Sequence, residues 1–209
     1  MSESNNYVIT IARQYGSGGR EVGVDLAKLL GIKAYDRELI TMAAQKSGMS
    51  SEILDHADEK ATNSLLYTLA LGSSYYGAAS IGTDVPINDK LFITQSQIIR
   101  DLASSESCII IGRCSDYVLR NDPARFSVFI YAPLEARIQR VIERGAAKTE
   151  KEARELISRT DKRRINYYNY YTGRKWGNPD NYNMMLDSSF LGIEGSARAI
   201  ADVYREKMC

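Results

Sequence analysis

The chain opens with a buried-strand pattern, a glycine-rich turn and a helical pattern in direct succession. Residues 7–12 are mostly apolar and β-branched, which is typical of a buried strand. The turn at residues 13–20 follows, and Val22 and Leu26 then recur at helical spacing until Gly31 stops the helix. Backbone N–H groups of such a turn, with the N-terminus of the helix behind them, can bind a phosphate group. This stretch constrains the fold most, because it predicts an anion site at the end of a buried strand.

The turn departs from the usual P-loop sequence, which is G-x-x-x-x-G-K-[ST]. With Gly18 as the second glycine of that motif, Arg13 stands in the place of the first glycine. Gly19 then stands in the place of the lysine, and Arg20 in that of the serine or threonine. The chain therefore has the strand–turn–helix context of a phosphate-binding loop without the residues of the usual motif.

The composition is that of an ordinary globular protein. The chain has 209 residues, of which 44% are hydrophobic and 25% charged, so it suits one domain with a smaller insertion. A net charge of +1 gives no overall field that would attract duplex nucleic acid or an anionic membrane. Any affinity for phosphate must come from a local arrangement of side chains.

Cysteine usage and the N-terminus indicate a cytoplasmic protein. Cys108, Cys114 and Cys209 lack metal-ligand spacing, and His56 is the single histidine. An odd cysteine count without a disulfide framework favours a reducing compartment. The N-terminus has no basic segment followed by an apolar one, and no apolar run approaches 18 residues.

Short apolar runs that alternate with helical patterns predict a parallel sheet with helices on both faces. The five predicted strands are residues 7–12, 32–35, 107–112, 125–131 and 182–187. Residues 50–105 contain helical patterns and a small-residue loop at 72–82, without a convincing strand. We interpret this region as a helical insertion beside the sheet.

Two polar residues directly follow predicted strands. Asp36 comes after the second strand, where it would cap a helix or contact a ligand, and the two roles can coexist. Arg113 comes after the third strand, and the carboxyl ends of parallel strands face the ligand crevice. The alternative for Arg113 is a structural salt bridge.

A long basic helix is predicted to begin at a capping box in residues 149–152. Arg159 and Arg163 are four residues apart, so both guanidinium groups lie on one face, which suits a polyphosphate. The alternative is a solvated helix face with Glu155 and Asp161 as counter-charges.

Two further groups of side chains have a simpler structural interpretation. The helix after the fourth strand carries Arg137, Arg140 and Arg144 on its more polar side, which predicts a mainly solvated face, although Arg137 lies near the end of the strand. Residues 167–176 interleave aromatic and basic side chains. The near-neutral charge favours a packing surface there, and base stacking on single-stranded RNA is the weaker alternative.

Four motifs, in this order and spacing, resemble the cytidylate kinase-like branch of the P-loop nucleoside monophosphate kinases. They are Gly16-Ser17-Gly18-Gly19, Tyr35-Asp36-Arg37, Gly112-Arg113 and Arg159-x-Asp161-x-Arg163. Residues 186–189 and 191–194 are also similar to that family's last strand and helix. The resemblance covers nearly the whole chain, from Ile9 to the last helix.

The resemblance implies a three-layer α/β/α P-loop fold with a five-stranded parallel sheet in a single domain, residues 1–209. A helical nucleotide-monophosphate-binding insertion would occupy about 50–105, and a helical lid about 146–180. The implied activity moves the γ-phosphoryl group of ATP, with Mg²⁺, to CMP, dCMP or a related small acceptor. Neither duplex nucleic acid nor a membrane is expected as a partner, and the oligomeric state stays open.

The resemblance also assigns roles to residues of this chain. Those expected around the ATP phosphates are Gly16, Ser17, Gly18, Gly19 and Arg20, with Arg13 as a further cation. Those expected to face the acceptor are Asp36, Arg37 and Arg113. Those expected to act from the lid on the transferring group are Arg159 and Arg163, with Asp161 positioning the lid. Ser17 is the candidate for the hydroxyl that binds Mg²⁺.

The chain departs from the family pattern at two places. Gly19 replaces the P-loop lysine, which removes a charge from the reacting centre, and Arg20 is the first candidate to replace it, ahead of Arg13. Cys114 stands where the family has an aspartate, and Asp116 lies two residues further on. A second hypothesis follows, in which the protein is a nucleotide-binding sensor or partner-binding module without catalysis.

Overall fold

A computed structural model of the chain describes residues 6–36, Met42 and residues 87–208. Several features named above lie outside these ranges: Arg37, His56, the small-residue loop at 72–82 and Cys209. Most of the predicted helical insertion also lies outside the described residues. The fold is built from the parts on either side of it.

The strands agree with the predicted runs to within two residues at either end. They are β1 (Val8–Arg13), β2 (Lys33–Tyr35), β3 (Cys108–Ile111), β4 (Arg125–Tyr131) and β5 (Met184–Asp187). The helices in the described ranges are α1 (Gly19–Leu30), α2 (Ile87–Ser105), α3 (Ser115–Val118), α4 (Leu134–Glu143), α5 (Glu150–Thr172) and α6 (Ser188–Met208). None of these helices is long and apolar enough to span a membrane.

The sheet is parallel throughout and has the order β2-β3-β1-β4-β5, which confirms the predicted architecture. β1 lies at its centre, so Val8 is paired with Cys108 on one side and with Arg125 on the other. The chain leaves β1 through α1 toward β2, and leaves β3 in the opposite direction toward β4. Where connections diverge in this way, the carboxyl ends of the two strands form a ligand crevice. Here that crevice lies between β1 and β3.

Hydrophobic cores cover both faces of the sheet, which explains why β3 is apolar at every position. Successive side chains of a strand point to opposite faces. Ile109 and Ile111 pack with α1 and α6, whereas Cys108 and Ile110 pack with α2. Each fully buried isoleucine contributes about 1.5–3 kcal/mol to folding. The two cores together hold the carboxyl ends of the strands at fixed positions.

The helix α5 is anchored at its N-terminus by the predicted cap. The Thr149 hydroxyl accepts a hydrogen bond from Glu152 N at 3.2 Å. The Glu152 carboxylate accepts one from Lys148 N at 2.8 Å, one residue earlier than a capping box places it. A separate apolar cluster joins α5 to α4 and includes Ile138, Val141, Ala153 and Ile157. This packing fixes α5 beside the glycine-rich turn.

Strand β5 begins two residues later than predicted because a side chain takes over a backbone hydrogen bond. Asn183 Oδ1 accepts bonds from Ser127 N at 2.9 Å and from Ser127 Oγ at 2.8 Å. Asn183 N donates to Ser127 O at 2.8 Å. The parallel ladder with β4 therefore begins at Met184.

Candidate active site at the carboxyl edge of the sheet

The glycine-rich turn joins β1 to α1 through two left-handed residues. Gly16 and Gly18 have φ angles of 79° and 77°, a region that favours glycine. A Cβ on Gly18 would lie 2.2 Å from Ile193 Cδ1, so a side chain at this position would also displace the end of Ile193. Gly18 caps α1 without a side-chain hydrogen bond, and the first N–H groups of a helix have no acceptor within it. The turn therefore presents amide donors and the positive end of a helix dipole to an anion.

Two arginines of α4 bind the carbonyl groups of this turn. Arg137 Nη1 donates to Tyr15 O at 3.3 Å, and Arg140 Nη1 donates to Ser17 O at 2.9 Å. Arg140 also donates to Ser188 Oγ at 2.9 Å, and the Ser188 hydroxyl itself donates to Ser17 O. Arg137 is 9% exposed and Arg140 is half-buried, so the prediction of a solvated face was wrong for both. Their contacts fix the backbone of the turn.

Asp161 connects α5 to the same turn. Its carboxylate accepts a hydrogen bond from Tyr15 N at 2.8 Å and one from Arg137 Nη1 at 2.5 Å. Asp161 is 9% exposed, and Arg164 Nη1 lies 3.9 Å from its Oδ1. The role of Asp161 in positioning the lid-like segment stays a prediction, and these contacts give it a physical basis.

Arg13 extends from the end of β1 across the crevice toward β2. Its Nη2 donates to Asp36 Oδ1 at 3.3 Å, and its side chain is 19% exposed. Two glycines border its path. A Cβ on Gly19 would lie 2.5 Å from Arg13 Cβ, and one on Gly112 would lie 2.0 Å from Arg13 Nη1. The guanidinium group of Arg13 thus lies in the crevice between β1 and β3.

Asp36 is ion-paired with both arginines of the turn. Arg20 Nε donates to Asp36 Oδ2 at 2.9 Å, in addition to the longer bond from Arg13. The Asp36 side chain is 15% exposed, whereas that of Arg20 is 63% exposed. The helix that Asp36 was predicted to cap lies outside the described residues, as does Arg37. Within the described part, the Asp36 carboxylate faces the glycine-rich turn.

Among the arginines of α5, Arg164 contacts the turn, a role that sequence reasoning missed. Arg164 Nη1 donates to Arg13 O at 2.8 Å. Desolvation lowers the pKa of Arg164, Asp161 and Asp36 raise it, and the nearby Arg113 lowers it further. Arg164 is thus close to the groups predicted to bind phosphates.

The signal that would have found Arg164 is the buried stripe of α5. Ala153, Ile157, Asp161 and Tyr168 are buried at helical spacing, and position 164 lies on the same face. By contrast, Arg159 is exposed and Arg163 is half-buried. Their predicted contact with the transferring group stays a prediction.

Arg113 follows β3 in a strained segment of backbone. Gly112, Arg113 and Cys114 have consecutive positive φ angles of 82°, 56° and 53°. A residue other than glycine in this region costs about 1–3 kcal/mol, and such strain is typical of functional sites. Arg113 is half-buried at the crevice edge that the sequence predicts.

Asp116 does not replace the aspartate that is missing at position 114. It is 4% exposed, and its Oδ2 accepts a hydrogen bond of 2.6 Å from the Tyr168 hydroxyl. Burial raises the pKa of Asp116, while the Tyr168 bond lowers it. Burial also raises the pKa of the Cys114 thiol. Asp116 is therefore engaged in packing α3 against α5.

Ser17, whose role as Mg²⁺ ligand stays a prediction, is bonded within the turn. It is fully buried, and its hydroxyl donates to Gln14 O at 2.9 Å. In the described ranges, no group of three or more histidine, cysteine, aspartate or glutamate side chains is arranged to hold a metal. Mg²⁺ commonly enters phosphoryl-transfer sites bound to the substrate phosphates. We therefore treat the metal as part of the nucleotide substrate.

The aromatic residues at the end of α5 pack against α2 and the sheet. The ring of Tyr171 stacks on Phe92 with centroids 4.3 Å apart, and its hydroxyl donates to Asp89 Oδ1 at 2.9 Å. Trp176 packs edge-on against Phe129 at 5.1 Å. These contacts support the packing interpretation of residues 167–176 over RNA binding, and they attach α2 to α5.

Solved structures of similar fold include known kinases. An uncharacterized protein from Eubacterium ventriosum ATCC 27560 has a TM-score of 0.67 at 24% identity, over 96% of this chain and 99% of that one. Shikimate kinase from Bacteroides thetaiotaomicron has a TM-score of 0.53 at 12% identity, over 95% and 98% of the two chains. A gluconokinase from Sinorhizobium meliloti 1021 has a TM-score of 0.50 at 12% identity, over 98% and 96%. These similarities show the P-loop kinase fold.

Sequence comparison extends the likeness from fold to family. No curated protein sequence matches the chain. The model of the cytidylate kinase-like family, however, matches residues 8–190. That range contains the glycine-rich turn, Arg113, the whole of α5 and strand β5. The chain therefore belongs to the cytidylate kinase-like family.

Proposed function

We propose that the protein transfers the γ-phosphoryl group of MgATP to a nucleoside monophosphate, with CMP or dCMP as the first expected acceptor. One observation carries the proposal. Arg13, Arg20, Arg113 and Arg164 gather at the carboxyl edge of the sheet, beside a turn that presents backbone amides. The family and the P-loop kinase fold support a function of the nucleotide-kinase type.

On the donor side, the amides at the start of α1 would bind the phosphate oxygens of ATP. The helix dipole favours negative charge at this end of α1, and Gly16 and Gly18 let the backbone approach the phosphate closely. Because Arg137 and Arg140 already bind the carbonyl groups of the turn, its amides need little rearrangement on binding. Donors preorganised in this way stabilise a charged transition state most effectively.

On the acceptor side, Arg113 and Asp36 would contact the nucleoside monophosphate. In the transfer, an acceptor phosphate oxygen forms a bond to the γ-phosphorus, while the bond to the β–γ bridging oxygen breaks and ADP keeps its electron pair. A phosphate dianion carries no proton to remove, so the step needs no general base. The site must instead neutralise charge on the equatorial oxygens, which arginine does through its planar fork.

The lid-like segment completes the proposal. Arg159 and Arg163 on α5 would approach the transferring group through a movement of α5 when the nucleotides are bound, and Asp161 would help to position the segment. Closure of such a segment excludes water, which otherwise competes as an acceptor.

A coupled assay of ADP release tests the proposal directly. MgATP is offered with CMP, dCMP, UMP, AMP and GMP, and with shikimate and gluconate as competing acceptor types. We expect the highest kcat/KM with CMP or dCMP. Arg113→Ala should lower kcat/KM for the acceptor by about 10²-fold. The matched control is Arg205→Ala, since Arg205 is half-exposed on α6 and pairs with Asp202. Absence of turnover with every acceptor, in folded protein, would refute the proposal.

The alternative is a nucleotide-binding module without catalysis. Two observations favour it: Gly19 replaces the lysine, and the Ser17 hydroxyl is buried. In that case MgATP or CMP raises the melting temperature by mass action, while phosphoryl transfer stays at background. The same protein preparation measured by both assays distinguishes the two functions.

A further inference from the structure

We propose that Arg13 takes the place of the P-loop lysine and reaches the ATP phosphates from the end of β1, where the lysine of the usual motif reaches them from the helix. Compared with the usual motif, the cationic residue and the glycine have changed places. This chain has Arg13 where the motif has its first glycine, and Gly19 where the motif has lysine. The inference rests on the proposed function. It also reverses the preference for Arg20 that the sequence suggests.

The first support is steric. A Cβ on Gly19 would lie 2.5 Å from Arg13 Cβ and 3.0 Å from Arg13 Cγ. Contacts this short between carbon atoms are repulsive, since such atoms pack at about 3.5–4.0 Å. The Arg13 side chain thus occupies space that the Cβ of a lysine at position 19 requires. The same steric conflict links the glycine at position 19 to the arginine at position 13, because a side chain at position 19 would collide with that of Arg13.

The second support is the position of the guanidinium group. Arg13 Nη1 lies over Gly112, where an added Cβ would come within 2.0 Å of it. Gly112 follows β3, so the charge lies at the crevice between β1 and β3, where ligands bind in this type of sheet. The side chain of Arg13 is 19% exposed. A charge shielded from water in this way acts more strongly on a neighbouring phosphate than an exposed one.

The third support is the fixed base of the side chain. Arg13 is the last residue of β1 and is paired with Ile130 of β4. Its carbonyl oxygen accepts a hydrogen bond from Arg164 Nη1 at 2.8 Å. The neighbouring Gln14 N donates to Ile130 O at 3.0 Å. A cation anchored on a central strand is held in place better than one on an exposed surface.

Arg20 has a different part in this arrangement. Its side chain is 63% exposed, and its Nε donates to Asp36 at 2.9 Å. Arg13 donates to the same carboxylate at the longer distance of 3.3 Å. When a phosphate oxygen displaces Asp36 from Arg13, Arg20 continues to neutralise Asp36. Arg20 thereby allows Arg13 to exchange its bond to Asp36 for a bond to the phosphate.

The experiment restores the residues of the usual motif at positions 13 and 19. Arg13→Gly, Gly19→Lys and the double variant Arg13→Gly/Gly19→Lys are compared with wild type in kcat, in the KM for MgATP and in melting temperature. Arg13→Gly should lower kcat by about 10²–10³-fold. Gly19→Lys alone should melt at a lower temperature, because its Cβ meets Arg13. The double variant should recover part of the stability and at least tenfold of the lost kcat, because the Arg13 side chain no longer meets the new Cβ and only Ile130 Cβ, at 3.2 Å, remains close to it. Arg20→Ala should lower kcat less than Arg13→Gly does.

The outcomes separate this inference from the proposed function. A wild-type protein without turnover overturns the proposed function, and with it this inference. A wild type that turns over, with Arg13→Gly within threefold of it, overturns the inference alone. Loss in Arg20→Ala equal to or greater than that in Arg13→Gly also contradicts it. Recovery of kcat in the double variant is a result that a merely structural role for Arg13 does not predict.

Discussion

Replacing Asp161 with asparagine removes one charge from a buried ion pair and keeps the shape of the side chain. The Asp161 carboxylate accepts bonds from Tyr15 N and Arg137 Nη1, and Arg164 lies 3.9 Å away. Asparagine can still accept the bond from Tyr15 N. It leaves Arg137 as a buried cation without its carboxylate, between the glycine-rich turn and α5.

The magnitude follows from the burial of this pair. Removal of one partner of a buried ion pair costs about 3–5 kcal/mol. The side chains of Arg137 and Asp161 are 11% and 13% exposed, so residual contact with water reduces the loss to about 3 kcal/mol. For a chain of this length, each kcal/mol lowers the melting temperature by about 2–4 °C. We therefore expect Asp161→Asn to melt about 6–12 °C below wild type.

Thermal unfolding followed by far-ultraviolet circular dichroism provides the measurement. The matched control is Glu150→Gln, the same chemical change on the same helix, where Glu150 forms an exposed pair with Arg154. Exposed pairs contribute about 0–1 kcal/mol, so this variant should melt within about 4 °C of wild type. Equal melting temperatures for the two variants would refute the argument that Asp161 holds α5 to the turn.

Two further predictions concern residues near the site. In urea unfolding, Gly18→Ala should lower the free energy of unfolding more than Gly145→Ala does. Both glycines have positive φ, but a Cβ on Gly18 would meet Ile193, whereas one on Gly145 would meet nothing within 4 Å. Equal losses of stability in the two variants would contradict this. Tyr168→Phe removes the hydrogen bond that lowers the pKa of Asp116, which burial already raises. A carboxyl group with a raised pKa in the folded state reduces stability as the pH rises above about 4, so the variant should lose more stability near pH 7 than near pH 5. A loss independent of pH would exclude this electrostatic effect.

The sequence predicted the sheet well because its signals are local. The glycine-rich turn, the apolar runs and the helix caps each depend on residues within a few positions of one another. The same is true of Asp36 and Arg113, which were predicted as site residues because they directly follow the predicted strands. Strand β5 began late because Asn183 bonds to Ser127, a residue far away in sequence.

The parts of the site that sequence reasoning missed depend on contacts between distant segments. Arg137 and Arg140 looked like a solvated face because nothing local shows that the carbonyl groups of the turn lie beside α4. Arg164 was not selected in addition to Arg159 and Arg163, because the direction in which α5 faces is set by its packing on α4. The burial of Ser17, the predicted metal ligand, is likewise decided by contacts that its own segment does not show.

From the sequence alone follow the alternation of strands and helices and the position of a glycine-rich turn at the end of the first strand. The sequence also showed that the lysine of the usual motif is missing. That the side chain of Arg13 lies against Gly19 became clear only in the folded chain. The reason is physical: the route of Arg13 past Gly19 and Gly112 toward Asp36 exists only when β1, β2 and β3 lie side by side.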